Sequence, residues 1–136
     1  MLGELLCEYK GTITSMKVLP FESGGQSVKY EVTQVADFSG RLNAHGIGSN
    51  YVQQSLDGTS MTKFYGVFTT DEGETILAES GGMSVPLVPG RVRFRTTASF
   101  KTTSPRLSWL NTMVVAFEGE GDFSTMEVVG KLYEWQ

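Results

Sequence analysis

Apolar and polar residues alternate with a period of two along most of this chain. In the stretch 28–38, Val28, Tyr30, Val32 and Ala36 point one way, while Lys29, Glu31, Thr33 and Asp37 point the other. That is the pattern of a half-buried β-strand. The stretch 60–70 is the clearest of all, with Phe64, Gly66 and Phe68 on one face and Lys63, Tyr65, Val67 and Thr69 on the other. Further strands are predicted at 4–19 (bent near Gly11), 51–56, 74–80, 91–97, 112–118 and 125–135, with a weaker one at 41–44. Asp57-Gly58 and Asp71-Glu72-Gly73 are hairpin turns between alternating runs. Pro20 to Ser27 is a turn cluster, and Gly119-Glu120-Gly121-Asp122 joins the last two strands. The glycine-bearing stretch 45–50 reads as a flexible loop, Gly81-Gly82 as a break, and 98–105 as a loop rich in Ser and Thr. Pro105 opens a helical or 3₁₀ turn over 105–111.

No segment carries ten residues of 3.6 periodicity, and no internal repeat emerges. Eight to ten strands joined by hairpin-like links predict an all-β fold. A single antiparallel up-and-down β-barrel over residues 1–136 is preferred to a sandwich, because closure removes exposed sheet edges.

Composition narrows the functional classes. The chain has 136 residues, 40 % apolar, 19 % charged, and a net charge of −4. That length supports one domain with a real core. The charge argues against a general nucleic-acid binder, which needs a basic face. No run approaches the 18 apolar residues of a membrane helix, and the first residues lack the basic start of a secretory signal. A single cysteine, Cys7, leaves no intrachain disulfide and fits a reduced, cytoplasmic setting. Cys7 shares a strand face with Leu5 and Tyr9, which predicts a buried, inert thiol. One histidine and one cysteine make a native metal site unexpected, and no cofactor is expected.

Few residues offer chemistry. His45 is the one histidine, the residue type whose unperturbed pKa lies near neutrality, and it stands beside Gly46-Ile47-Gly48, where backbone can approach a ligand. It is the candidate acid/base, at the rim of a barrel mouth. Arg91, Arg93 and Arg95 share one face of a strand: a solvated outer face beside inward Val92 and Phe94, or a polar lumen in which Arg95 binds an anionic group. Residues 112–118 are apolar on both faces, which predicts cover on the outside and hence a homo-oligomer. Trp109 is either a plug for one barrel end or a pocket wall, with Asn111 beside it as a second ligand contact or a turn bridge. There is no Gly-x-Ser-x-Gly elbow, Walker loop or dinucleotide fingerprint.

The run Phe94-Arg95-Thr96-Thr97-Ala98-Ser99-Phe100-Lys101-Thr102, followed by Ser104-Pro105-Arg106-Leu107-Ser108-Trp109-Leu110-Asn111, resembles the uncharacterised barrel family known as domain-of-unknown-function family 3237. The segment Phe68-Thr69-Thr70-Asp71-Glu72-Gly73-Glu74-Thr75-Ile76 and the terminal Leu132-Tyr133-Glu134-Trp135 are similar to it too, so the resemblance covers about residues 40–135. It departs at Gly46-Ile47-Gly48-Ser49-Asn50-Tyr51, where Tyr51 stands in place of that family's tryptophan. The resemblance implies an antiparallel barrel, often oligomeric, with no established reaction.

Two functions of different classes follow. The first is a binding module for a small apolar or aromatic molecule, with Tyr51, Tyr65, Arg95 and Trp109 as wall residues, Asn111 beside them, and His45 at the rim. The second is a cofactor-free isomerase, cyclase or lyase acting on a small hydrophobic substrate, with His45 as base and Arg95 as the partner of a developing oxyanion. Neither involves nucleic acid or a membrane.

Overall fold

Eight antiparallel strands close into a barrel in simple chain order, with the last strand returning to the first. The computed structural model describes residues 2–20 and 25–135. The strands are β1 (Leu2–Val18), β2 (Ser27–Gly40), β3 (Ala44–Ser55), β4 (Ser60–Thr70), β5 (Thr75–Val88), β6 (Arg91–Lys101), β7 (Val114–Asp122) and β8 (Glu127–Trp135). A 3₁₀ helix, Pro105–Thr112, stands between β6 and β7 and begins at the proline that the sequence marks. Gly58 and Gly73 adopt φ values of 91° and 84° in their hairpin turns, a conformation glycine enters without steric cost.

The strands run longer than the sequence pattern predicts, and glycine is the reason. The stretch 45–50 belongs to the first half of β3, and residues 41–43 are the turn before it. Gly46 and Gly48 face inward. A Cβ on Gly48 would collide with the Phe64 ring, and one on Gly66 would sit 2.8 Å from the same ring. The missing side chains leave room for an aromatic ring from the neighbouring strand, a packing device and not a loop signal. β5 runs through Gly81-Gly82, β7 through Gly119 and Gly121, and β6 continues to Lys101 for the same alternating pattern.

The strands are staggered as barrel closure requires. A ladder of register partners leaves β6 at Arg91, passes Asp122, Glu127, Thr12, Val35, Ile47, Val67 and Leu77, and returns to β6 at Lys101, ten residues further on. Such a shear tilts eight strands by about 35–45° and leaves an interior that side chains can fill or that holds one small ligand.

The two ends differ. At the end holding the turns after β2 and β4, the interior is packed solid. The Phe38 ring stacks tilted on Phe68 with centroids 4.5 Å apart and meets Phe100 edge-on at 6.1 Å. Leu107 and Leu110 of the 3₁₀ helix, both buried, cap that cluster. Each fully buried leucine contributes about 1.5–3 kcal/mol. Polar contacts lock the helix down. Asn111 Oδ1 accepts from the Thr102 N–H at 2.8 Å, and its Nδ2 donates to the Thr102 carbonyl at 3.0 Å. Arg106 and the Ser104 hydroxyl both donate to the Glu74 carboxylate. The turns after β3, β5 and β7 lie at the opposite end, which has no such cap among the described residues.

The outer wall is also divided. Across β6, β7, β8 and β1 the partners Arg95, Glu118, Lys131 and Glu8 alternate in sign, and Arg91 reaches Glu120 at 3.3 Å. Across β2 to β5 the row Val35, Ile47, Val67 and Leu77 is apolar and exposed. In the stretch 112–118, expected to be apolar on both faces, Val114 is exposed and Val115 is buried; the longer exposed apolar row, from Val35 to Leu77, lies on the other half of the barrel. No helix among the described residues is long and apolar enough to cross a membrane.

Candidate functional site

The half of the barrel opposite the 3₁₀ helix is hollow among the described residues. A cavity of about 290 Å³ occupies it, near the lower end of the range of ligand pockets. Its floor is Tyr9, whose ring meets Phe38 edge-on at 5.5 Å and Phe117 at 5.1 Å. One side is mainly apolar: Ile13 on β1, Val92 and Phe94 on β6, Phe117 on β7 and Val128 on β8, with Thr96 of β6 as its polar member. On the other side β3, β4 and β5 present the amides of Asn50 and Gln54 and the hydroxyls of Ser60, Thr62, Ser80 and Ser84, with Val52 and Phe64 between them. Gln54, Ser60 and Ser84 are register partners and form one row near the mouth.

Among the described lining residues Thr96 Oγ1 donates to the Phe117 carbonyl at 3.4 Å, and one hydrogen bond joins two side chains. Tyr9 Oη donates to Gln34 Oε1 at 2.8 Å, with both residues buried. Gly11 makes the pair possible, since a Cβ there would lie 2.7 Å from Gln34 Oε1. Burial pushes the Tyr9 phenol well above its ordinary range, so it stays a neutral donor. No Asp, Glu, Lys, Arg or His lines the cavity among the described residues. Cys7 lies below it, fully buried, with its thiol pushed up to about 12 by burial, which fits the inert role expected of it.

The residues singled out from sequence lie elsewhere. His45 is exposed on the outer wall, in register with Asp37 and Thr69, because its neighbours Ala44 and Gly46 take the inward positions. It is remote from the mouth, since β3 begins at the capped end. Tyr51 and Tyr65 also point outward, where their rings meet edge-on at 6.2 Å and Tyr51 Oη approaches Glu31 at 3.5 Å. Arg95 is exposed, as its strand neighbours Phe94 and Thr96 require by facing the lumen. Trp109 belongs to the cap, half-buried, with the Arg41 guanidinium 5.4 Å above its ring. Asn111 is the turn bridge described above. The structure therefore brings none of these six to the cavity. The polar residues that do line it were missed. A signal existed: Gln34 sits on the same strand face as Val32 and Ala36, and Thr62 on that of Phe64 and Phe68. A polar residue at an inward position of a strand marks a polar lumen.

No family model matches the chain, and no curated protein matches it. Solved structures do. A protein of unknown function from Clostridium acetobutylicum superposes with a TM-score of 0.86 at 17 % identity, with all of both chains covered. A β-barrel-like protein from Acinetobacter baumannii matches with a TM-score of 0.81 at 18 % identity, covering 100 % of this chain and 96 % of the other. An enzyme from Penicillium herquei matches with a TM-score of 0.65 at 16 % identity, over 98 % and 96 % of the two chains. At these identities the likeness establishes the barrel architecture. The family named from the sequence motifs is not among these descriptions.

Proposed function

We propose that this barrel is a binding module that takes one small apolar or aromatic molecule into its lumen from the end opposite the 3₁₀ helix. The observation that carries this reading is the cavity itself. The end beneath the 3₁₀ helix is filled by buried phenylalanine and leucine side chains, and the other end is left hollow between aromatic rings. Filling it with side chains would have stabilised the fold, so the hollow costs stability. The test is a thermal-shift screen of small neutral aromatics. A ligand at about 100 times its Kd adds about 2.7 kcal/mol of stability. Thr62→Trp, which projects an indole into the lumen, should abolish the shift. A flat response across the screen from a folded protein would overturn the reading.

A cofactor-free enzyme acting on the same kind of molecule is the second reading. It is favoured by one barrel of similar shape being described as an enzyme. With His45 on the outer wall, lumen chemistry would fall to Tyr9, Tyr30 and the amides of Gln34 and Asn50.

A further inference from the structure

Resting on the lumen-binding reading, we propose that the bound molecule is an uncharged aromatic carbonyl compound, and that Gln34 is the residue that orients it. The walls of the cavity differ in chemistry along one direction. A flat molecule would lay its ring against Phe94 and Phe117 and turn a polar edge toward Gln34 of β2 and the polar side chains of β3, β4 and β5.

Four lining side chains are polar and more than nine-tenths buried: Gln34 at 6 % exposure, Ser60 at 5 %, Thr62 at 8 % and Ser84 at 7 %. No buried side-chain nitrogen or oxygen among the described residues is both sealed from the cavity and without a partner. The free valences of these four side chains therefore open onto the lumen. Groups held in that way favour a ligand that completes their hydrogen bonds over one that leaves them unpaired.

Gln34 is the most restrictive of them. Its oxygen already accepts from the Tyr9 hydroxyl, while its Nε2 amide makes no side-chain bond among the described residues, so the donors of Nε2 are what it chiefly offers the lumen. A donor fixed at the floor selects an acceptor at the inner end of the ligand, and a carbonyl oxygen is such a group. A carboxylate also accepts hydrogen bonds, but it is excluded on charge. No cation lines the cavity among the described residues, and the arginines of β6 point away from it on the outer wall. Burying an ion without a counter-charge is far more costly than burying a ketone.

The experiment compares three probes on one skeleton at pH 8: naphthalene, 2-acetylnaphthalene and 2-naphthoate, titrated calorimetrically. The ketone should bind roughly tenfold tighter than naphthalene, the gain of one buried hydrogen bond. The carboxylate should bind weaker than the ketone by on the order of 100-fold or more. In Gln34→Met, which keeps the length of the side chain, the ketone should lose its advantage while naphthalene keeps its affinity. Should that variant fail to fold, the pair Thr62→Val and Ser84→Ala takes its place and should shrink the same advantage. Equal binding of ketone and carboxylate, or an unchanged ranking in these variants, would overturn the proposal while leaving lumen binding intact. Failure of all three probes to bind the folded wild type would overturn both readings.

Discussion

The Tyr9 hydroxyl donates a hydrogen bond to Gln34 across 25 positions of sequence, and this pair marks the level at which the packed half of the barrel becomes hollow. Below it stand Phe38, Phe68 and Phe100; above it the lining turns mixed. Tyr9→Phe keeps the ring contacts and leaves Gln34 Oε1 without its donor. The expected cost is about 1–3 kcal/mol, that of a buried acceptor left unpaired, read as a lower urea midpoint at unchanged slope.

Gly48 exists to seat Phe64. In Gly48→Ala the new methyl group would meet the ring, which must swing toward the lumen or push the strand outward. Overpacking of this kind costs about 1–3 kcal/mol. Denaturant unfolding measures the loss, and a crystal structure of the variant would locate the displaced ring in the cavity.

Leu110 is the keystone of the cap and is fully buried. Leu110→Ala should destabilise the protein by about 2–5 kcal/mol, with the larger values expected if the 3₁₀ helix cannot settle into the gap. An exposed-surface leucine such as Leu56 provides the comparison, and its change to alanine should be near neutral.

The same cap carries a pH signature. The guanidinium of Arg106, then the hydroxyls of Ser104 and Thr70, hold the Glu74 carboxyl down to about 2 from an ordinary 4.5. A carboxylate depressed in the folded state stabilises it above its unfolded pKa. That contribution should be complete above about pH 4.5 and disappear as the pH falls toward about 2. Thermal midpoints of wild type and Glu74→Gln should differ at pH 6 and converge in acid; a constant difference would disconnect Glu74 from the acid response.

His45 offers a contrasting expectation. His45→Ala removes an exposed outer side chain and should change stability by no more than about 0.5 kcal/mol. Affinity for any lumen ligand should be the same in both proteins. A clear loss of binding would bring the outer wall of β3 into the site.

The barrel was legible in the alternation, because a period of two survives wherever one strand face is buried. Strand ends were less legible, since Gly46, Gly48, Gly81, Gly82, Gly119 and Gly121 read as punctuation. Their meaning depends on rings and backbone of neighbouring strands, which no local window contains. The site was legible only in part. Reactive types such as His45 and Arg95 drew attention, yet parity assigns them outward once Ala44 and Phe94 are inward. The informative residues were the unreactive ones, Gln34 and Thr62, whose position in the alternation matters more than their chemistry.

Seven of the eight ladders join strands adjacent in the chain, and the eighth joins β1 to β8. Its partners include Cys7 with Leu132 and Glu8 with Lys131, residues from opposite ends of the sequence. A growing or refolding chain can form its hairpins one after another, but the cylinder waits for the last strand. The entropy of bringing distant ends together falls on that single seam, so folding is slow in proportion to one event. Until it happens, β1 and β8 are open edges able to pair with another chain. Closure is thus the step at which this sequence trades a risk of aggregation for a container with no edges.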